Sequence, residues 1–149
     1  MNTKIIVTWD DVYFLCERIT NEILKSRISF DISILIIRGG IVPGIIISET
    51  LGIEKIEPIL WQTRDGKKKE EDLFKEILKK YHRILIIDDI IDSGKTIYEI
   101  SRLVENERSR IFVASLMKRK INQYDIPFKK FVGEEIETTS WVEFPWEFK

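Results

Sequence analysis

A chain of 149 residues with 44% hydrophobic and 33% charged side chains, 7 glycines and 4 prolines is neither disordered, collagen-like nor framed by disulfides, and its length fits one domain over residues 1–149. Lysine and arginine number 24 against 25 for aspartate and glutamate, a net charge of -1, so no broad basic field draws nucleic acid or an anionic membrane. Cys16 and His82 are the only residues of their kinds, which excludes an internal disulfide and a zinc site of the usual His/Cys type and leaves any metal to oxygen ligands. The opening MNTKIIVTWDD has no signal-peptide pattern, and no apolar run approaches the ~20 residues of a membrane span, which gives the expectation of a cytoplasmic protein.

Apolar residues at Val12, Leu15, Cys16, Ile19 and Ile23 share one face of a helix, with Thr8 and Asp11 set as a capping pair at its start. Cys16 therefore reads as core. Residues 33–37 form a β-branched run stopped by Arg38-Gly39-Gly40, and the apolar stretch beyond runs through Ile47 to Leu51-Gly52, giving strand, glycine turn and helix. Residues 54–61 read as a second strand, and the polar stretch 63–72, TRDGKKKEED, as a mobile surface loop. His82, just ahead of the next strand, reads as structural. That third strand, 84–87, is continuously apolar rather than alternating, as in a central parallel strand buried on both faces. Helical spacing of Ile97, Ile100, Leu103 and Val104 follows, then a fourth strand over 111–117 and an aromatic-rich tail over 124–149. Alternating strands and helices predict an α/β fold with a parallel sheet, its ligands bound beyond the carboxyl ends of the strands.

The segment ILIIDDIIDSGKT, residues 84–96, joins a buried strand to Asp88 and Asp89 and then to Asp92, Ser93, Gly94, Lys95 and Thr96 at a helix start. Free backbone N–H groups and the positive end of the helix dipole suit a phosphate there, Gly94 permits close approach, and the hydroxyls of Ser93 and Thr96 add donors. The acid pair would repel that phosphate unless it faced sugar hydroxyls or a magnesium ion. A ribose 5-phosphate satisfies both halves. The nucleotide-binding loop GxxxxGK[ST] matches only at Gly94, Lys95 and Thr96, and its first glycine falls at Asp89, which argues against an ATPase. Each piece alone is also what an ordinary strand end and N-cap would give; the combination is specific.

These residues resemble the signature of the type I phosphoribosyltransferases: four hydrophobic residues, two acidic ones and a Thr/Ser-Gly-x-Thr phosphate loop. The resemblance extends to Arg38-Gly39-Gly40, similar to the family's pyrophosphate loop, and to 63–72, which lies where the family has a flexible hood. Residues 113–118, VASLMK, and 141–147, WVEFPWE, are similar to the purine-binding segments of the bacterial and archaeal 6-oxopurine branch. The resemblance implies a parallel-sheet α/β fold with helices on both faces, a small hood and a C-terminal purine-binding segment over 124–149. It further implies a magnesium-dependent reaction in which phosphoribosyl pyrophosphate and a 6-oxopurine (hypoxanthine, guanine or xanthine) give a nucleotide and pyrophosphate, with inversion at the anomeric carbon, in a homodimer or homotetramer.

By the same resemblance, Asp92, Ser93, Gly94, Lys95 and Thr96 hold the 5-phosphate, and Asp88 and Asp89 meet the ribose hydroxyls directly or through magnesium and water. Arg38, Gly39 and Gly40 hold pyrophosphate. Asp92 exchanges a proton with the imidazole ring of the base, Ile90 packs on the purine, Trp141 stacks on it, Lys118 reaches its 6-oxo oxygen and Val142 offers its backbone. Lys67, Lys68 and Lys69 match no single catalytic residue and read equally as a solvated charge run, while Trp141 and Trp146 also fit a core or an interface. Two alternatives stay open: a regulatory binding protein on the same fold, and a phosphoribosyltransferase for adenine or a pyrimidine.

Overall fold

The computed structural model describes residues 3–61 and 68–148. Strand β1 (Lys4–Ile6) leads into helix α1 (Trp9–Ser26), which starts as its sequence predicts: the Asp11 amide donates to Thr8 Oγ1 at 3.1 Å and the Thr8 amide to Asp11 Oδ2 at 2.9 Å. Its face of Val12, Leu15, Cys16, Ile19 and Ile23 is buried. Strand β2 (Ile32–Ile37) passes through the glycine turn into helix α2 (Ile41–Leu51), and the buried Ser48 Oγ donates to Ser33 Oγ at 2.8 Å, tying helix to strand. Then come β3 (Ile56–Leu60), α3 (Lys68–Lys80), β4 (Ile84–Ile91), α4 (Lys95–Leu103), β5 (Ile111–Arg119), β6 (Lys129–Ile136) and β7 (Trp141–Glu143).

The main sheet has five strands in the order β3-β2-β4-β5-β6, all parallel, as continuous apolar strands require. Successive side chains enter two cores: Leu35, Leu85, Ile87 and Ala114 pack with α1 and α2, whereas Ile34, Ile84, Ile86 and Val113 pack with α3 and α4. Helices therefore cover both faces. The chain leaves β2 for the edge strand β3 and then crosses back to β4, so the strand order reverses between β2 and β4. Beyond the carboxyl ends at such a switch point, ligands bind. Apart from this sheet, β1 and β7 pair in parallel, Lys4 opposite Trp141 and Ile6 opposite Glu143.

The acid pair does not end its strand as the sequence suggests. Strand β4 continues to Ile91 because β5 extends to Arg119 and supplies partners, Asp88 opposite Ser115 and Ile90 opposite Met117. Of the supposed loop 63–72, residues 63–67 lie outside the described residues, while 68–72 open α3, whose Phe74 and Ile77 are buried in the second core. Lysine and glutamate are good helix formers, so polarity alone does not separate a loop from a solvated helix face. The tail holds β6, an edge strand whose charged residues interrupt any apolar run. Residues 120–128 return from β5 to β6 without a helix and bury Ile126 and Phe128 in the second core.

Candidate active site

Pairing between β2 and β4 stops at Leu35 opposite Ile87, and beyond it β4 meets the turn that follows β2. Gly39 lies so near Asp89 there that a Cβ would overlap the carboxylate, and a Cβ on Gly40 would overlap the carbonyls of Ile36 and Ile87. Only glycine permits that approach. The Ile37–Arg38 peptide is cis. The Gly40 amide donates to the Ile36 carbonyl at 2.8 Å, so of the expected pyrophosphate group it is Arg38 and Gly39 that line a cleft.

The acid pair folds back on its own backbone, with the Asp89 amide donating to Asp88 Oδ1 at 2.8 Å and the Ile90 amide to Asp89 Oδ1 at 2.7 Å. Neither carboxylate joins an ion pair among the described residues. Burial first, then the neighbouring carboxylate, holds Asp88 well above the usual carboxylate range, and burial likewise raises Asp89, with Glu147 a lesser contributor. Two hard oxygen donors in no ion pair among the described residues fit magnesium. Among the described residues no group of three or more His, Cys, Asp or Glu closes a cage, so such an ion would complete its shell from substrate and water.

Consecutive strand positions point to opposite sides, and the acid pair divides two hollows. Asp88 lines one of about 90 Å³, together with Ile90, Asp92, Ser93, Gly94, Lys95 and Thr96. Gly94, at φ 87°, turns the chain into α4, and the Lys95 amide donates to Ser93 Oγ at 3.2 Å. Asp89 lines the other, a cleft of about 690 Å³, with Arg38, Gly39, Ile41, Val42, Trp146, Glu147 and Phe148, a size common among small-ligand sites. Trp146 stacks on Phe144 with centroids 5.0 Å apart.

The expected purine-binding residues are more dispersed. Ile90 lines the smaller hollow, while Trp141, 59% exposed, and the buried Val142 stand on β7. Lys118 lines a third cleft with Asn122, Tyr124, Asp125 and Glu135, its Nζ donating to the Arg119 carbonyl at 3.0 Å. The cation beside Asp92 is Arg119, whose Nε donates to Asp92 Oδ1 at 2.5 Å and whose Nη1 donates to the Ser140 carbonyl at 2.6 Å and the Glu137 carbonyl at 3.2 Å. The connection 120–128 holds the Asp92–Thr96 cup from the same side: Asn122 Nδ2 donates to the Asp92 carbonyl at 2.6 Å and the Tyr124 amide to the Ser93 carbonyl at 2.9 Å. Sequence reasoning singled out neither Arg119 nor Asn122, and took Glu147 only as the last residue of the 141–147 segment. No local signal marked the first, because which of the successive cations Lys118 and Arg119 meets Asp92 is set by a break in strand alternation at Met117.

The phosphoribosyl transferase domain model matches residues 2–149, and the chain belongs to that family. Among solved structures it is similar to a Neisseria gonorrhoeae protein with bound ppGpp, at 23% identity and a TM-score of 0.81, with 99% of this chain and 91% of that one covered. A purine phosphoribosyltransferase from Pyrococcus horikoshii matches at 20% identity and a TM-score of 0.70, over 98% of this chain and 95% of its own. The xanthine-guanine-hypoxanthine phosphoribosyltransferase of Helicobacter pylori matches at 13% identity and a TM-score of 0.72, over 98% and 93%. The parallel sheet with helices on both faces is the fold of these enzymes. No helix among the described residues is long and apolar enough to cross a membrane.

Proposed function

We propose that this chain transfers the 5-phosphoribosyl group of phosphoribosyl pyrophosphate to hypoxanthine, guanine or xanthine, giving the nucleoside monophosphate and pyrophosphate. The observation that carries the reading is the acid pair standing as a wall between two hollows, one closed by a glycine-opened helix start and the other by Arg38 and Gly39. A substrate with a phosphate at one end, vicinal hydroxyls in the middle and a pyrophosphate beyond them spans such a pair. Family membership and the purine-specific neighbours support the same choice.

In this reading the amides that open α4, with the Ser93 and Thr96 hydroxyls, hold the 5-phosphate where the helix dipole favours negative charge. Asp88 and Asp89 hold the ribose hydroxyls or a magnesium ion, which when bound supplies Lewis-acid charge neutralisation for the leaving group. Arg38 and the Gly39 amide hold the pyrophosphate as the C1′–O bond breaks. A ring nitrogen of the base bonds to the opposite face of C1′, and the proton displaced from the imidazole ring passes to the Asp92 carboxylate. Ile90 and Trp141 pack the base, and the Val142 backbone and Lys118 read its edge, Lys118 after releasing the carbonyl that its Nζ now holds. Positioning and fixed charge do most of this work, because the transition state carries positive charge on the ribose and negative charge on pyrophosphate.

A homodimer or homotetramer belongs to the same proposal, supported by α2, whose only charged residue is Glu49 and whose Ile45 is exposed. So does a cytoplasmic setting. The test mixes protein, magnesium and phosphoribosyl pyrophosphate with hypoxanthine, guanine, xanthine, adenine or uracil and reads nucleotide by chromatography. Nucleotide from the 6-oxopurines, abolished by excess chelator, is the expected result. Adenine turned over equally well overturns the base assignment. No nucleotide from any base, together with tight ppGpp binding, favours the regulatory binding protein, the reading to which the gonococcal neighbour lends support.

A further inference from the structure

We propose that Arg119 is a positioning residue of the base site, fixing the Asp92 carboxylate and the 137–141 turn in one rigid frame; the proposal rests on the phosphoribosyltransferase reading above. Two segments distant in sequence from each other and from β5 meet on this one guanidinium. Nε takes Asp92 at the mouth of the phosphate cup, and Nη1 takes the Ser140 and Glu137 carbonyls, immediately before the strand that presents Trp141 and Val142. Only 13% of the side chain is exposed, although its carboxylate partner is 67% exposed. The pair is therefore not an ordinary solvated bridge, in which both partners wander.

The geometry suits a frame better than a point charge. A guanidinium is planar, and its donors diverge at fixed angles, so the distance between the Asp92 carboxylate and the Ser140 carbonyl is set by one rigid group. Nη2 has no hydrogen-bond partner among the described residues. Arg119 reaches this place because the alternation of β5 breaks just before it: Leu116 and Met117 both pack in the first core, and Ser115 Oγ donates to the Met117 carbonyl at 2.7 Å within the irregularity. Beyond the break Lys118 turns to the cleft beside Tyr124 and Asp125, and Arg119 turns to Asp92.

Two ligands separate this role from a general brace: guanosine monophosphate, and ribose 5-phosphate, which keeps sugar and phosphate but has no base. In calorimetry Arg119→Met is expected to bind guanosine monophosphate at least about tenfold more weakly while ribose 5-phosphate stays within about twofold of the parent, since the charge-assisted bonds removed hold the Asp92 carboxylate and the turn before β7 but none of the amides or hydroxyls that take the phosphate. Steady-state turnover should show the same split, KM for the base rising while KM for phosphoribosyl pyrophosphate holds. Arg119→Lys, which keeps the charge without the fork, should recover little, and it carries the same comparison if Arg119→Met does not fold. Equal weakening of both ligands, unchanged guanosine monophosphate affinity, or full recovery by lysine overturns the proposal. If the parent protein binds neither ligand, the functional reading falls and this proposal with it, a failure recognisable because it precedes any substitution.

Discussion

Two carboxylates held side by side and away from water resist ionising together, and Asp88 and Asp89 are so held. Because their folded-state values are raised, the folded chain keeps protons that the unfolded chain, titrating near about 3.9, has already released. Stability from this source is fully present below the unfolded value and is lost as pH rises through the raised ones. Thermal melts of the metal-free protein in chelator should therefore show a melting temperature that falls from pH 5 to pH 8. Asp89→Asn should flatten that slope and raise the melting temperature at pH 8 by about 2–4 °C for each kcal/mol of repulsion relieved, while turnover is lost. A melting curve indifferent to both pH and substitution would separate the acid pair from stability. Stability given up at a binding site in this way is a common cost of function.

Elements carried by strong local rules are legible in the sequence. The capping box of α1, its buried face, the continuous strands β2 and β4 and the glycine-opened start of α4 all follow from periodicity, capping and turn chemistry. What stays hidden depends on partners far along the chain. Strand β6 is charged at an edge, and β1 and β7 have three residues each, too few to show a period before each finds the other. That Arg119 rather than Lys118 meets Asp92 follows from a break in alternation that packing imposes at Met117. One junction between elements gives a direct test: Gly94 links β4 to α4 at φ 87°, with the Tyr124 carbonyl 2.9 Å from where a Cβ would stand. Gly94→Val places a β-branched residue in left-handed backbone at a cost of about 1–3 kcal/mol. Calorimetry should show ribose 5-phosphate affinity falling at least about tenfold; unchanged affinity would locate the phosphate elsewhere.

Across the whole molecule, the strand proposed as the base wall leans on the opposite end of the chain. Strand β7 pairs with β1, the Val7 amide donates to the Glu143 carbonyl at 2.9 Å and the Trp141 amide to the Thr3 carbonyl at 2.7 Å, and Val142 and Phe144 enter the first core beside Val7. Removing residues 1–7 is therefore expected to weaken guanosine monophosphate binding more than ribose 5-phosphate binding, with circular dichroism still reporting the main sheet. An equal loss on both ligands would mean that β1 supports the entire site rather than its base wall.

The same pairing orders events during synthesis. In a chain emerging from the ribosome, β2, β4, β5 and the start of α4 are all made while Ile5, Ile6 and Val7 still wait for residues 141–143. Throughout that interval an apolar strand edge is open to chaperones and to mispairing with other nascent chains, and in the proposed reading the base wall forms after the phosphate site.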